Sequence, residues 1–151
     1  MPVYRRNVAL ILARPSGEVL LCERSDYRDS WQFPQGGAKD GESDLEALQR
    51  EVLEEISLPP DAYHIVCSKG PYFYEFRSGF KKEGCDGQSQ TYFLAQINGA
   101  LDPDIRVDRK EFQRWRWLPP ASFRIEWVAP IKRDVYRAVF RDFFGVNLDA
   151  D

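Results

Sequence analysis

Between Gly36 and Leu58 the chain reads GGAKDGESDLEALQREVLEEISL, a glycine turn followed by an amphipathic segment that carries its own start and stop signals. Ser43 stands three residues ahead of Glu46, the spacing of a capping box, in which the serine oxygen accepts a backbone N–H and the glutamate reaches back. A helix is therefore predicted to begin at about Asp44. Leu45, Leu48, Val52 and Ile56 recur at steps of three and four, so at roughly 100° per residue they form one narrow stripe that can pack on a sheet. Pro59 and Pro60 stop the helix.

Glu51, Glu54 and Glu55 fall at i, i+3 and i+4 on a face turned roughly 110° from the centre of that stripe. Like charges at this spacing repel, and carboxylate oxygens are the donors that magnesium or manganese prefers, so a divalent cation is one partner that would neutralise them. A solvated acidic face is the other reading of the same three residues.

The flanking residues discriminate between these readings. Gly36, Glu42, Arg50, Glu51, Val52, Glu54, Glu55 and Leu58 match the Nudix box, G-x5-E-x7-R-E-U-x-E-E-x-G-U with U a bulky aliphatic, and the segment resembles that family. One position departs: the late glycine of the box is Ser57, which makes a left-handed residue at the helix C-terminus costlier. Upstream, the run Trp31 to Gly37, WQFPQGG, is similar to that of the branch containing bacterial RNA pyrophosphohydrolases and plant-type dinucleoside polyphosphate hydrolases.

A length of 151 residues suits a single domain with its own core, and 43% apolar, 14% aromatic and 30% charged residues describe a soluble globular chain. No apolar run approaches the length of a membrane span, and the N-terminal segment lacks the pattern of a signal peptide. Cys22, Cys67 and Cys85 are odd in number and form no C-x-x-C pair, which suits a reducing cytoplasm and indicates neither a disulfide framework nor a zinc site. His64 is the one histidine, read as a surface or packing residue. A net charge of −3 argues against strong non-specific nucleic-acid binding but leaves room for a local cluster that grips one polyphosphate end.

Val8 to Ala13 reads as a buried strand, Pro15-Ser16-Gly17 as a turn, and Val19 to Cys22 as the returning hairpin partner. After the helix, Tyr63 to Ser68 and Tyr72 to Phe76 are expected to be two strands, Arg77 to Gly87 a loop, Thr91 to Ile97 a strand and Asn98 to Lys110 another loop. Lys132 opens a last amphipathic helix through Phe144, with Val135, Val139 and Phe143 on its apolar side. Strands, helix, strands and helix imply an α/β/α sandwich around a mixed sheet, which is also the fold implied by the Nudix resemblance.

The resemblance further implies roles for individual residues. Glu51, Glu54 and Glu55 would hold Mg2+ or Mn2+ together with the Gly36 carbonyl, with Glu42 and Arg50 supporting them. Glu111, in the run Glu111 to Trp117 that resembles Glu-Phe-x-x-Trp-x-Trp, would approach the metals from outside the helix, so Glu54, Glu55 and Glu111 are the expected catalytic residues. Arg5 and Arg24 match phosphate-contacting arginines, and Gln88 and Gln90 the Gly-Gln-x-Gln segment; Tyr74-Glu75-Phe76 resembles the Tyr-Asp-Phe of plant-type dinucleoside polyphosphate hydrolases, whose aromatic can stack on a base, with core packing the commoner fate of such a ring. Ser89 and Thr91 stand where lysines are usual. The implied reaction is metal-dependent hydrolysis of a phosphoanhydride by water. A 5′-triphosphorylated RNA end is the favoured substrate and diadenosine tetraphosphate the alternative; a nucleotide-sensing module without catalysis is a third reading. No stable protein partner is evident.

Overall fold

In the computed structural model, which describes residues 1–99 and 102–149, the chain forms seven strands and two α-helices: β1 (Tyr4–Ala13), β2 (Val19–Arg24), β3 (Trp31–Gln32), β4 (Gln35–Gly37), α1 (Asp44–Ile56), β5 (Tyr63–Glu75), β6 (Gly87–Ile97), β7 (Phe112–Leu118) and α2 (Arg133–Phe144). They make one mixed sheet of order β3-β2-β1-β6-β5, with β4 paired to β1 and β7 to β2. The β1–β6 ladder is parallel and runs from Tyr4↔Gly87 to Ala13↔Gln96; the other ladders are antiparallel. Residues 100 and 101, within the loop expected over 98–110, lie outside the described residues.

β1 explains the layering. Its residues alternate between two cores: Val8, Leu10 and Leu12 join Leu48, Val52 and Ile56 of α1, while Ala9, Ile11 and Ala13 join Val135, Val139 and Phe140 of α2. A strand covered on both faces must be apolar at consecutive positions, which is why Val8 to Ala13 carries no polar residue. The expected sandwich with a mixed sheet is thus the observed one. Among the described residues no helix is long and apolar enough to cross a membrane.

Several local expectations change. The hairpin of β1 and β2 is splayed: they pair only at Ala13↔Val19, after which β4 takes the edge of β1 at Asn7 to Ala9 and β7 lines up along β2. The two strands expected between Tyr63 and Phe76 are one, β5, bent by register shifts against β6 at Ile65/Cys67 and Lys69/Tyr72. Bulges absorb the extra residues without breaking the strand. The strand expected from Thr91 begins at Gly87, because the parallel partner β1 pairs from Tyr4 onward.

Helix α1 begins at Asp44 behind a complete capping box, with Ser43 accepting from Glu46 N–H and the Glu46 carboxylate from Ser43 N–H. Its buried arc is Ala47, Leu48, Val52, Glu55 and Ile56, rotated from the predicted stripe, and Leu45 is exposed. That rotation puts Glu55 inside the packing face. Ser57 takes the left-handed conformation at φ 62°, the geometry that glycine would adopt at less cost. Its N–H donates to the Leu53 carbonyl and its hydroxyl to the Arg106 carbonyl at 2.9 Å, so the serine ties the helix end to the loop before β7.

On the opposite face, Phe33 packs on Tyr136 and Phe140 at 5.7 Å from each ring, and its N–H donates to the Tyr136 hydroxyl at 3.1 Å. This joint locks the aromatic run before β4 onto α2 and so positions the glycine turn. Tyr136→Phe removes the buried acceptor and leaves the Phe33 N–H unpaired, so a loss of about 1–3 kcal/mol is expected from urea denaturation; unchanged stability would show that the bond contributes nothing.

Candidate active site

The carboxylates of α1 reach a cleft of about 180 Å³ at the end of β4, walled by Arg5, Gln35, Gly36, Gly37, Glu51, Glu54, Glu55, Lys82, Asp108 and Glu111. Its organiser is Arg50. The guanidinium donates to both oxygens of Glu42 at 2.7 and 2.9 Å, to the Gly37 carbonyl at 2.9 Å and to Glu51 Oε1 at 2.8 Å, with Glu54 Oε2 at the limit of 3.5 Å. One planar fork therefore links the glycine turn to the helix. Arg50 and the Lys39 N–H hold the Glu42 carboxyl down to about 2.

The three helix glutamates differ in setting. Glu54 is exposed, Glu51 partly buried and Glu55 only 5% exposed. Burial, reinforced by the charges of Glu51, Glu111 and Glu54, pushes the Glu55 carboxyl up to about 9, and its Oε1 is buried without a hydrogen-bond partner. A cation is what would satisfy both the orphaned oxygen and the repulsion.

Gly36 fits the same requirement: a Cβ there would overlap the Glu51 carboxylate, so only glycine lets the helix glutamate lie against the turn. The donors are hard oxygens of the kind magnesium and manganese take. Among the described residues no three of these side chains converge as they stand, since Arg50 draws Glu51 aside and Glu54 points outward. The donor set fits a divalent cation, with side-chain rotation needed to gather it.

Glu111 and Asp108 come from the loop before β7. Asp108 N–H donates to the Glu55 carbonyl at 2.8 Å, Arg106 N–H to that of Ile56 at 3.2 Å, and Ser25 N–H to that of Glu111 at 2.9 Å. These backbone bonds bring the loop against the end of α1. Asp108 was absent from the sequence-based set, because a loop aspartate has no spacing signal of its own.

The expected substrate contacts separate into two groups. Arg5 does reach the cleft, its guanidinium lying flat on Gly37, where a Cβ would overlap it. Gln88, Gln90 and Tyr74 are instead buried: Gln88 donates to the Tyr74 hydroxyl at 3.3 Å, and Gln90 to Asn7, whose amide donates to Gln35 at 2.7 Å. They set the floor beneath Arg5 and Gln35, and the Tyr74 ring, 7% exposed, offers no face for a base to stack on. Arg24 lies in an adjoining groove of about 500 Å³ with Tyr27, Arg28, Arg77, Trp127 and Arg133. His64 is exposed and pairs with Asn98 at 2.8 Å.

Two lysines stand near these residues, Lys82 and Lys132, the latter donating to Gln32 Oε1 at 3.4 Å. Lys82 is in the wall of the carboxylate cleft, and the ammonium of Lys132 is held down to about 8 by burial and by the charges of Arg24 and Lys82. The shift is chiefly the cost of burying the ammonium, and the two neighbouring positive charges add to it. The basic start of α2 hinted at Lys132, whereas nothing in the sequence singled out Lys82.

The comparisons with known proteins agree with this geometry. The sequence profile described as NUDIX domain matches residues 3–139. An RNA pyrophosphohydrolase of Hahella chejuensis is 40% identical over 95% of this chain and 92% of its own length, and one of Helicobacter pylori is 37% identical over 93% of both. In fold the chain is similar to a C. elegans Ap4A hydrolase, with TM-score 0.67 and 24% identity over 93% of this chain and 98% of that one. With the profile spanning most of the sequence and full-length relatives well above a third identical, the chain belongs to the NUDIX domain family, the Nudix hydrolases.

Proposed function

We propose that the protein is a pyrophosphohydrolase of RNA 5′ ends, which uses Mg2+ or Mn2+ to cleave a phosphoanhydride of a 5′-triphosphorylated RNA with water. The observation that carries this reading is a complete set of box carboxylates beside a basic groove, in a chain whose relatives over nearly their full length are named RNA pyrophosphohydrolase. A sensing module without catalysis would have no need of that full set. Tyr74 was the residue that leaned toward a dinucleotide, and its burial removes that support. The three free cysteines support a reducing, cytoplasmic setting, and the domain is read as single.

Glu51 and Glu55, with the Gly36 carbonyl, are assigned to the cation and Glu54 as a further ligand. When bound, the ion supplies positive charge to the phosphate oxygens and acidifies water. Arg50 ties Glu42, the glycine turn and α1 together and so keeps the elements that carry the ligands in register. Arg5 and Lys132 bind the phosphate chain and Arg24 the nucleotide beyond it; guanidinium suits phosphate geometry, and the ammonium acts as a point charge. Glu111, carried on a separate loop, accepts the proton that water loses as its oxygen bonds to phosphorus and the bridging oxygen departs with the leaving phosphate.

Glu55→Gln and Glu54→Gln should each lower turnover by about a hundredfold or more at saturating magnesium with the melting temperature retained, because both act through the ion; normal turnover in both would refute the assignment. Lys132 binds anions only while protonated. Since its ammonium titrates at about 8, KM should rise by roughly tenfold as pH is raised through that value, the loss of one charge-assisted contact. Lys132→Arg should flatten that part of the profile. For substrate choice, specificity constants for a short triphosphorylated RNA and for diadenosine tetraphosphate should be compared at one magnesium concentration and ionic strength. The RNA should lead by about tenfold, or about 1.4 kcal/mol in the barrier; the reverse order would overturn the choice of RNA.

A further inference from the structure

The segment after β5 ends in a tight turn whose tip meets the cleft. Lys82 and Cys85 exchange backbone hydrogen bonds at 3.1 and 2.9 Å around Glu83 and Gly84, both with positive φ, at 52° and 75°. Two such residues in succession are the signature of a type I′ turn, natural for glycine and strained for glutamate. Anchors at the base keep the turn in place: Asp86 N–H donates to the Val3 carbonyl, and the Asp86 carboxylate accepts from Val3 N–H at 2.9 Å and pairs with Lys81 at 3.0 Å.

The strained residue is not idle. Glu83 Oε2 accepts from Arg5 Nε at 2.8 Å, while Arg5 NH1 donates to Gln88 at 3.4 Å. Glu83 thus covers the cleft's arginine with a carboxylate that is itself 66% exposed, and exposed pairs of this kind contribute little and exchange readily. Its neighbour Lys82 lines the same cleft yet makes no ion pair or side-chain hydrogen bond among the described residues, although five carboxylates share that wall. Its charge also reaches Lys132. The turn therefore presents an occupied arginine and an uncommitted ammonium side by side, between the carboxylates and the basic groove.

We propose that Lys82 and Glu83 form a phosphate-exchange clamp: Glu83 holds Arg5 until a phosphate of the incoming chain takes its place, and Lys82 binds that chain as a point charge. This deepens the reading above and rests on Arg5 being a phosphate contact. Because Glu83 competes with phosphate for Arg5 and Lys82 attracts it, the two neighbours act in opposite directions, which a merely structural turn would not produce.

The test uses inorganic pyrophosphate with magnesium, titrated by calorimetry into the full chain, so that it is independent of which substrate is cleaved. Lys82→Gln should weaken binding by about tenfold, the loss of one charged contact. Glu83→Gln should tighten binding several-fold, and that gain should vanish in the Arg5→Gln background, with thermal melting used to exclude unfolding. Unchanged affinity in Lys82→Gln, or weaker binding in Glu83→Gln, would overturn the clamp. If the wild type cleaved neither RNA nor dinucleotide, the substrate reading would fall and the pyrophosphate titrations would still decide the clamp. In the active enzyme Lys82→Gln should raise KM with kcat nearly unchanged; a fall in kcat alone would also overturn it.

Discussion

The fork of Arg50 is the interaction on which the site depends. A single guanidinium, partly buried between Glu42, the Gly37 carbonyl and Glu51, joins a loop, a strand end and a helix. Its planar donors allow this, because two oxygens of Glu42 can be bridged while other N–H groups remain for the glycine turn and for Glu51. A lysine in its place would supply the charge without the geometry.

The same region accumulates negative charge that the fold does not neutralise. Glu55 sits in the packing face of α1 beside Leu48 and Val52 and has no partner for one oxygen, an arrangement that costs stability in the absence of a cation. A cation bound there would offset that cost.

Beyond the carboxylates the surface changes sign. Arg5 and Lys82 line the acidic cleft, and Arg24, Arg28, Arg77 and Arg133 a second groove, although the net charge of the chain is −3. The buried pairs Gln88–Tyr74 and Gln90–Asn7, the second carried on to the half-buried Gln35, lie beneath the cleft, so residues expected at the surface act from below.

What the sequence determined by itself was local chemistry. The capping box, the helix from Asp44, the glutamates at one-turn spacing and the doubly covered strand Val8 to Ala13 all follow from periodicity and hydrogen-bonding capacity within a few residues. The family followed from the fixed spacing of eight box residues. Tertiary structure decided what depends on a partner distant in the chain. It rotated α1 so that Glu55 rather than Leu45 entered the core, merged two expected strands into β5, and buried Tyr74, Gln88 and Gln90 beneath the surface they were expected to occupy. It also brought Lys82 and Asp108 to the cleft from segments with no motif. A side chain's direction is set by what covers its element, and that cover comes from residues tens of positions away, which spacing cannot report.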